Sequence, residues 1–239
     1  MLRISLILKP FRKLHFLVDL LRLPAAVGKV DNSGINASND SDISELLPLI
    51  FAFAMIKSPK QILELGTRGG ESTRALVRVA TELKIQGYSV DLSPCPKWLS
   101  TEEKWTHFVA DDLSFAHTLA DTRKWPNGEN FQGLDFIFLD TSHEYEHTKE
   151  ELNAYWPLLN PNGIFLFHDV NLTSKMTRRL SGKPNYGWNN NRGVSRAIED
   201  YFEGKIQENR FKVLFPFPKS TFAINIPWNN GLLLIQKSK

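Results

Sequence analysis

The sequence predicts an α/β fold, a doubly wound and mostly parallel sheet of seven strands with helices on both faces. An antiparallel pair of C-terminal strands and a helical N-terminal appendage complete the expected architecture. Short apolar segments alternate with helical segments beyond residue 60, and segments 136–139 and 164–167 are apolar at every position, as is typical of parallel strands covered on both faces. Glycines follow the first apolar segment, where the chain must turn tightly into a helix.

Composition places the chain among globular proteins. Its 239 residues are 42% hydrophobic and 23% charged, which suffices for one large domain with a substantial core. The single cysteine, Cys95, cannot form an internal disulfide, so a reducing, cytoplasmic setting is expected.

The N-terminal segment, residues 1–40, is expected to be separate from the main domain, residues 41–239. Residues 1–30 carry an excess of five positive charges against +3 for the whole chain, which leaves −2 for the remainder and disfavours nucleic-acid binding. Apolar residues within 11–21 recur at helical spacing, and residues 31–40 have the composition of a linker. A basic amphipathic helix can make peripheral contact with an anionic membrane, or it can pack across the domain or against a partner subunit in a homo-oligomer. Neither a signal peptide nor a membrane span is predicted.

The elements of the main domain follow in order. Asp42 is a candidate N-cap, with Glu45 three residues on, for a helix that Ser58 and Pro59 end. The predicted strands are 61–65, 87–91, 106–110, 134–139, 163–168, 211–216 and 231–236, and the predicted helices are 71–84, 114–120, 144–159 and 191–203. The last two strands follow each other without a helix, so they are expected to pair antiparallel at one edge of the sheet.

Two segments predict the two halves of one site. Segment 61–70 is a strand with Glu64 near its end, followed by three glycines before a helix. Segment 135–146 is a strand that ends in Asp140 and, three residues on, His143. Open α/β sheets bind ligands at the carboxyl ends of their strands, so the first segment predicts a cofactor loop and the second the chemical groups.

The first motif, Glu64-x-Gly66-x-x-Gly69-Gly70, resembles that of class I S-adenosylmethionine-dependent methyltransferases, which have a Rossmann-like fold. A dinucleotide-binding turn would have glycine at the position of Arg68, which disfavours a nicotinamide oxidoreductase. The resemblance continues with an acid at the end of the second strand, where the family contacts the ribose, and with acids after the third strand, where it contacts the adenine. It implies a set of cofactor-binding residues: Glu64, Gly66, Thr67, Arg68, Gly69, Gly70, Ser72, Asp91, Ser93, Asp111, Asp112 and Asp140.

Later segments narrow the resemblance. Segments 139–145, 156–164, 167–170 and 193–198 resemble bacterial small-molecule and sugar O-methyltransferases, including the macrocin O-methyltransferase type and proteins grouped with cephalosporin-biosynthesis enzymes. The resemblance covers residues 43–239. It implies transfer of a methyl group from S-adenosylmethionine to a hydroxyl of a small-molecule or glycan acceptor.

The same resemblance implies the chemical groups. An aliphatic hydroxyl is a poor nucleophile at neutral pH, so the reaction calls for a base, a metal ion or both. The family implies Mg²⁺ held by Asp140, His168 and Asp169, with His143 as the base. The family has an acid where this chain has His168. Because Mg²⁺ prefers oxygen ligands, the histidine weakens the site, favours a softer divalent ion, or does not coordinate the ion and instead supports its ligands or binds substrate. His147, one helical turn after His143, is the alternative base.

Residues 173–192 are polar and basic and are predicted to form an acceptor-binding lid, with a plain surface loop as the alternative. Two further alternatives stay open for the function. One is a metal-independent methyltransferase in which His143 or His168 acts alone. The other is a non-catalytic S-adenosylmethionine-binding protein tethered by its N-terminal helix. The sequence does not identify the acceptor.

Overall fold

The computed structural model describes residues 41–172, 177–179, 181–185, 189–206 and 210–239. The predicted N-terminal helix and linker lie outside these residues, as do parts of the predicted lid. The division into a 1–40 segment and a 41–239 domain therefore stays a prediction.

The described residues form five α-helices and ten strands. The helices are α1 (Leu47–Lys57), α2 (Glu71–Leu83), α3 (Asp112–Thr122), α4 (Tyr145–Tyr155) and α5 (Gly193–Phe202), with 3₁₀ turns at Ser44–Leu46 and Leu99–Thr101. The strands are β1 (Ile62–Leu65), β2 (Gly87–Asp91), β3 (Trp105–Val109), β4 (Leu134–Leu139), β5 (Leu159–His168), β6 (Thr177–Arg178), β7 (Pro184–Asn185), β8 (Lys212–Leu214), β9 (Phe222–Ile226) and β10 (Leu232–Gln236). Within the described part of the chain, no helix is both long and apolar enough to cross a bilayer.

The central sheet confirms the doubly wound prediction but has eight strands, in the order β3-β2-β1-β4-β5-β10-β9-β8. Strands β1 to β5 are parallel, and β8 to β10 are antiparallel. The strand that sequence analysis missed is β9, whose apolar run is interrupted by the buried Asn225. The side-chain amide of Asn225 donates to the backbone carbonyl of Arg210, and this hydrogen bond offsets the cost of burying a polar side chain in the strand. The expected pairing of 211–216 with 231–236 was wrong, because β9 lies between β8 and β10 and pairs with both.

The sheet separates two apolar cores. On one face, Leu63 and Leu65 of β1 belong to the core that includes the buried residues of α3, α4 and α5. On the other face, Ile62 belongs to the core that includes α1 and α2. This alternation is what a strand covered on both faces requires.

The start of α1 differs from the prediction. A 3₁₀ turn precedes the helix, whose N-terminus has no side-chain cap. Asp42 was therefore wrongly predicted as the N-cap; its carboxylate instead accepts from the Asn230 amide at 2.8 Å, in the β9–β10 loop. The end of α1 is confirmed, since Ser58 is in the left-handed conformation and Pro59 follows.

β1 and β4 are neighbouring parallel strands, and the loops that follow them meet at the point where the strand order of the sheet reverses. Gly66 has φ +84°, and a Cβ atom there would lie 2.2 Å from the carbonyl oxygen of Asp140. A side chain at position 66 would therefore force the two loops apart. This close approach places the glycine-containing loop after β1 directly beside the end of β4.

Candidate active site

Asp91, at the end of β2, holds the glycine-containing loop in place. Its Oδ2 accepts from the backbone amides of Thr67 at 2.8 Å and Arg68 at 2.9 Å, and its Oδ1 accepts from Ser93 at 2.8 Å. Burial acts to raise the pKa of Asp91, but the three amides outweigh it and hold that pKa below its ordinary value. An ionised Asp91 thus fixes the loops after β1 and β2 to each other.

A cavity of about 610 Å³ opens between these loops and the ends of β3 and β4. Its walls combine apolar groups from Val90, Leu92 and Ala110 with several acids and two histidines. A second cavity, of about 300 Å³, shares Gly66, Arg68 and Asp140 with the first. Concave sites of this size, with apolar walls and a few polar groups, are typical of cofactor sites.

The predicted cofactor residues occupy different places around these cavities. Six of them line the larger cavity: Gly66, Arg68, Asp91, Asp111, Asp112 and Asp140. The smaller cavity shares Gly66, Arg68 and Asp140 and is lined in addition by Thr67, Gly69 and Ser72. Glu64, Gly70 and Ser93 line neither of the two.

Glu64 lies beneath the loop, fully buried against α2. Its two carboxylate oxygens accept from the hydroxyls of Ser72 and Thr73, both at 2.6 Å. Burial raises the pKa of Glu64 to about 8, although both hydroxyls lower it. Glu64 therefore joins β1 to the first turn of α2.

Asp111 and Asp112 begin α3 in different ways. The Asp111 carboxylate is the N-cap and accepts from the amide of Ser114 at 2.8 Å. Asp112 is more buried, and its Oδ2 lies 3.0 Å from Nε2 of His147.

The ends of β4 and β5 bring four ionisable side chains together, which we call the Asp140 cluster: Asp140, His143, His168 and Asp169. Nε2 of His143 lies 3.0 Å from Oδ1 of Asp140 and 2.9 Å from Oδ2 of Asp169. Nδ1 of His168 lies 3.2 Å from Oδ1 of Asp140, and its Nε2 lies 3.2 Å from the carbonyl of Asn229. The predicted base and the predicted metal ligands thus occupy one site.

A divalent cation fits the donors of this cluster. One ligand atom each from Asp140, His143 and Asp169 lies within 4.8 Å of the others. Oδ1 of Asp169 is buried and has no hydrogen bond from any residue that the structure describes, with Nδ1 of His168 at 3.5 Å. In this geometry His143, rather than the predicted His168, stands directly between the two carboxylates.

The charges in the Asp140 cluster shift each other's titration. Burial acts to lower the pKa of His143, but Asp140 and Asp169 raise it to about 9. Burial also opposes the charge on His168, yet Asp169 and Asp140 raise its pKa to about 10. The pKa of Asp140 falls far below its ordinary value, because the histidines outweigh burial. At neutral pH these shifts keep both histidines protonated and Asp140 ionised when no cation is bound.

Two residues of the cluster have an uncommon backbone conformation. His143 has φ +62° and Asp169 has φ +57°, in the left-handed region that favours glycine. The carbonyl of His143 accepts from the amide of Asn190 at 3.0 Å, and a Cβ atom on Gly193 would lie 2.4 Å from that oxygen. The start of α5 thus packs on the turn that contains His143. Residues with a left-handed backbone other than glycine are concentrated at functional sites.

Asn190 lies in the predicted lid and Gly193 in segment 193–198, but their contacts with the His143 turn were not predicted from the sequence.

The described part of the predicted lid also makes specific contacts. β6 and β7 pair antiparallel. The buried Asn185 donates to Oδ1 of Asn230 at 2.6 Å, and the amide of Ser181 donates to the carboxylate of Glu45 at 3.0 Å. These residues connect 181–185 to the β9–β10 loop and to the start of the described chain. Acceptor binding by this segment stays a prediction.

His147 is separate from the Asp140 cluster. Its ring contacts Asp112 and Glu151 instead, with 27% of the side chain exposed. The i, i+4 spacing of His147 and Glu151 on α4 was the signal in the sequence for this contact.

Comparisons with known proteins agree with this geometry. Residues 63–170, less than half of the chain, match a family model described as a methyltransferase domain. An uncharacterised protein of Acanthamoeba polyphaga mimivirus is 26% identical over 110 residues, which are 43% of this chain and 44% of that protein. The match therefore spans less than half the length of this relative.

Solved structures share the fold at low sequence identity. An O-methyltransferase from Bacillus cereus in complex with S-adenosylhomocysteine (SAH) is 14% identical, with a TM-score of 0.51 over 88% of this chain and 89% of that one. The O-methyltransferase TomG from Streptomyces achromogenes, in complex with S-adenosylmethionine (SAM), is 16% identical, with a TM-score of 0.53 over 90% of each chain. The described chain thus has the α/β, Rossmann-like fold of these methyltransferases.

Proposed function

We propose that this protein transfers a methyl group from S-adenosylmethionine to a hydroxyl of a small-molecule or glycan acceptor. The observation that carries the proposal is the position of Asp140. Asp140 lines both cavities beside the glycine-containing loop and also belongs to the cluster with His143, His168 and Asp169. A cofactor site and a proton-handling site therefore share one residue. The methyltransferase match over residues 63–170 supports the reaction class.

The cofactor half would use residues that line the larger cavity. The cofactor, when bound, supplies an electrophilic methyl group on a sulfonium. Arg68 and the acids Asp91, Asp111 and Asp112 border this cavity, together with the apolar Val90 and Leu92. Their role is to bind and orient, which contributes much of the rate when a reaction requires an in-line approach.

The chemical half would use the Asp140 cluster. Asp140 and Asp169 would hold a divalent cation, with an imidazole as a third ligand. The cation would supply positive charge that stabilises a developing alkoxide on the acceptor. His143 or His168, whichever is not a ligand, would first lose its own proton and then accept the acceptor's proton at a ring nitrogen.

A metal-independent reaction is the second candidate, and a specific observation favours it. Both acids of the Asp140 cluster already contact histidines whose pKa values are raised, so each acid has a cationic partner without a metal ion. In that mechanism His143 must lose its proton before it can act as a base. Because its pKa is raised to about 9, activity should increase as the pH rises toward 9.

The test follows transfer of a radiolabelled methyl group from SAM to a panel of free sugars, glycosides and hydroxylated aromatics. We expect transfer in Mg²⁺ or Mn²⁺, and at least about 100-fold slower transfer in His143→Ala, the scale of a lost general base. Binding of SAH by His143→Ala should stay near that of wild type. The matched control is His117→Ala, an exposed histidine on α3, which should retain full activity.

A chelator distinguishes the two candidates. Activity lost in a chelator and restored by Mn²⁺ supports the metal-assisted reaction, whereas activity that persists and increases with pH supports the metal-independent one. Cofactor binding without transfer to any member of the panel, at any pH from 6 to 10, would contradict both and favour a non-catalytic binding protein.

A further inference from the structure

A second group of ligand-type side chains, which we call the His147 cluster, consists of Asp112 and His147, which line the larger cavity, and the buried Glu151. One ligand atom of each lies within 4.8 Å of the others. Nε2 of His147 is 3.0 Å from Oδ2 of Asp112 and 3.5 Å from Oε1 of Glu151. Sequence analysis assigned no site to these three residues together.

Neighbouring groups hold the two acids in a fixed orientation. The amide of Leu113 donates to Oδ1 of Asp112 at 2.9 Å, which leaves Oδ2 toward His147. The hydroxyl of Thr141 donates to Oε1 of Glu151 at 2.7 Å. His147 and Glu151 are four residues apart on α4 and therefore project from the same helical face. The cluster is thus preorganised by contacts outside it.

Glu151 provides the observation that points to a ligand. Its side chain is 0% exposed, and as an ionised carboxylate its Oε2 has no hydrogen-bond donor among the described residues. A buried carboxylate oxygen without a donor is destabilising unless a cation or a proton satisfies it. Burial, a side-chain hydrogen bond with Asp112 and the charge of Asp112 raise the pKa of Glu151 well above its ordinary value, so a proton occupies this position when no cation does.

The charge balance differs from that of the Asp140 cluster. There, two histidines face two carboxylates, whereas here one histidine faces two. The charges of Asp111 and Glu150 add to the negative potential at His147. With both acids ionised the cluster has an excess of negative charge, which a bound cation would compensate in place of the proton on Glu151.

We propose that the His147 cluster binds a first-row divalent cation such as Zn²⁺. One imidazole nitrogen and two carboxylate groups form a mixed donor set that suits Zn²⁺ or Mn²⁺ better than Mg²⁺ or Ca²⁺. Because Asp112 and His147 line the cavity, a remaining coordination position is open to water or to a bound molecule. This site shares Asp112 with the proposed cofactor cavity, but cation binding by the cluster does not depend on methyl transfer.

The test measures bound Zn²⁺ by equilibrium dialysis and atomic emission, so methyl transfer does not enter the readout. The Asp169→Asn variant serves as the starting chain, because it weakens the Asp140 cluster. Adding His147→Ala should reduce the stoichiometry by one Zn²⁺ per chain. Adding the matched control His117→Ala should leave the stoichiometry unchanged.

A second variant keeps the shape of the cluster. Glu151→Gln retains an oxygen that can accept from Thr141 but removes the charge, and it should weaken Zn²⁺ binding at least tenfold. Circular dichroism confirms that each variant is folded; if Asp169→Asn is not, the same difference is measured in the wild-type background. An equal number of bound Zn²⁺ ions with and without His147 would overturn the proposal, and so would unchanged affinity in Glu151→Gln.

Discussion

His143 is placed between two carboxylates by a backbone conformation that side chains rarely adopt. Its φ of +62°, the bond from Asn190 and the contact with Gly193 all act on the turn after β4. Such strain persists only where the surrounding structure imposes it, and it places the imidazole between Asp140 and Asp169. The geometry of one residue therefore depends on two elements distant in sequence.

The raised pKa of His143 predicts a specific pH dependence of stability. In a chelator, the native pKa of about 9 lies above the unfolded value near 6.5, so protonation stabilises the fold fully below about pH 6.5. That contribution is lost as the pH rises through 9. The excess stability of wild type over His143→Gln should therefore fall by on the order of 2–3 kcal/mol between pH 6 and pH 10.

Urea denaturation at pH 6, 8 and 10 measures this difference. The exposed His117→Gln is the control and should follow wild type at each pH. A difference between wild type and His143→Gln that is constant or grows with pH would contradict the assigned charge state.

At the scale of elements, two glycines of the loop after β1 differ in the space that is available for a Cβ atom. Gly66 has φ +84° and leaves no room for a Cβ beside the carbonyl of Asp140. Gly69 lies three residues on, and a Cβ there would have no atom within 4 Å. The two positions therefore form a matched pair.

Gly66→Ala should destabilise the protein by about 1–3 kcal/mol and weaken SAH binding at least tenfold, because the loops after β1 and β4 must separate. Gly69→Ala should change stability by less than about 0.5 kcal/mol. Urea unfolding and calorimetry measure both effects. Equal effects from the two substitutions would show that the approach of the loops is not what the glycine provides.

Sequence periodicity predicted most of the elements but not those that depend on tertiary contacts. The parallel strands and the helices were predicted because their apolar runs are long and alternate regularly. β9 was missed because Asn225 breaks its apolar run, and the side-chain amide of Asn225 donates to the carbonyl of Arg210, 15 residues away in sequence. The N-cap prediction for Asp42 failed for a similar reason, since Asn230 binds that carboxylate.

The same distinction holds for the site. Asp140 and Asp169 follow neighbouring parallel strands, so their meeting could be predicted from the fold class. The position of His143 between them could not, since it depends on a left-handed residue and on α5. The pairing of His147 with Asp112 requires α3 and α4 to be adjacent, which periodicity alone does not specify.

At the scale of the molecule, the groups of the proposed function lie at one edge of the sheet. The loops after β1, β2, β3 and β4 border the larger cavity, and the ends of β4 and β5 carry the Asp140 cluster. In the proposed function, Asp140 is the residue shared by cofactor binding and proton transfer. At the far side of the sheet, the terminal strand β8 and its flanks expose Phe211, Val213 and Phe215. The predicted homo-oligomer stays a prediction.

The most direct test of the account is calorimetric titration with SAH, with and without Mg²⁺, on wild type, Asp91→Ala and the exposed control Asp121→Ala. We predict micromolar binding to wild type and to the control. Asp91→Ala should bind about 1–3 kcal/mol more weakly, because the amides of Thr67, Arg68 and Ser93 lose their acceptor. No binding to wild type under either condition would contradict the proposed methyltransferase function.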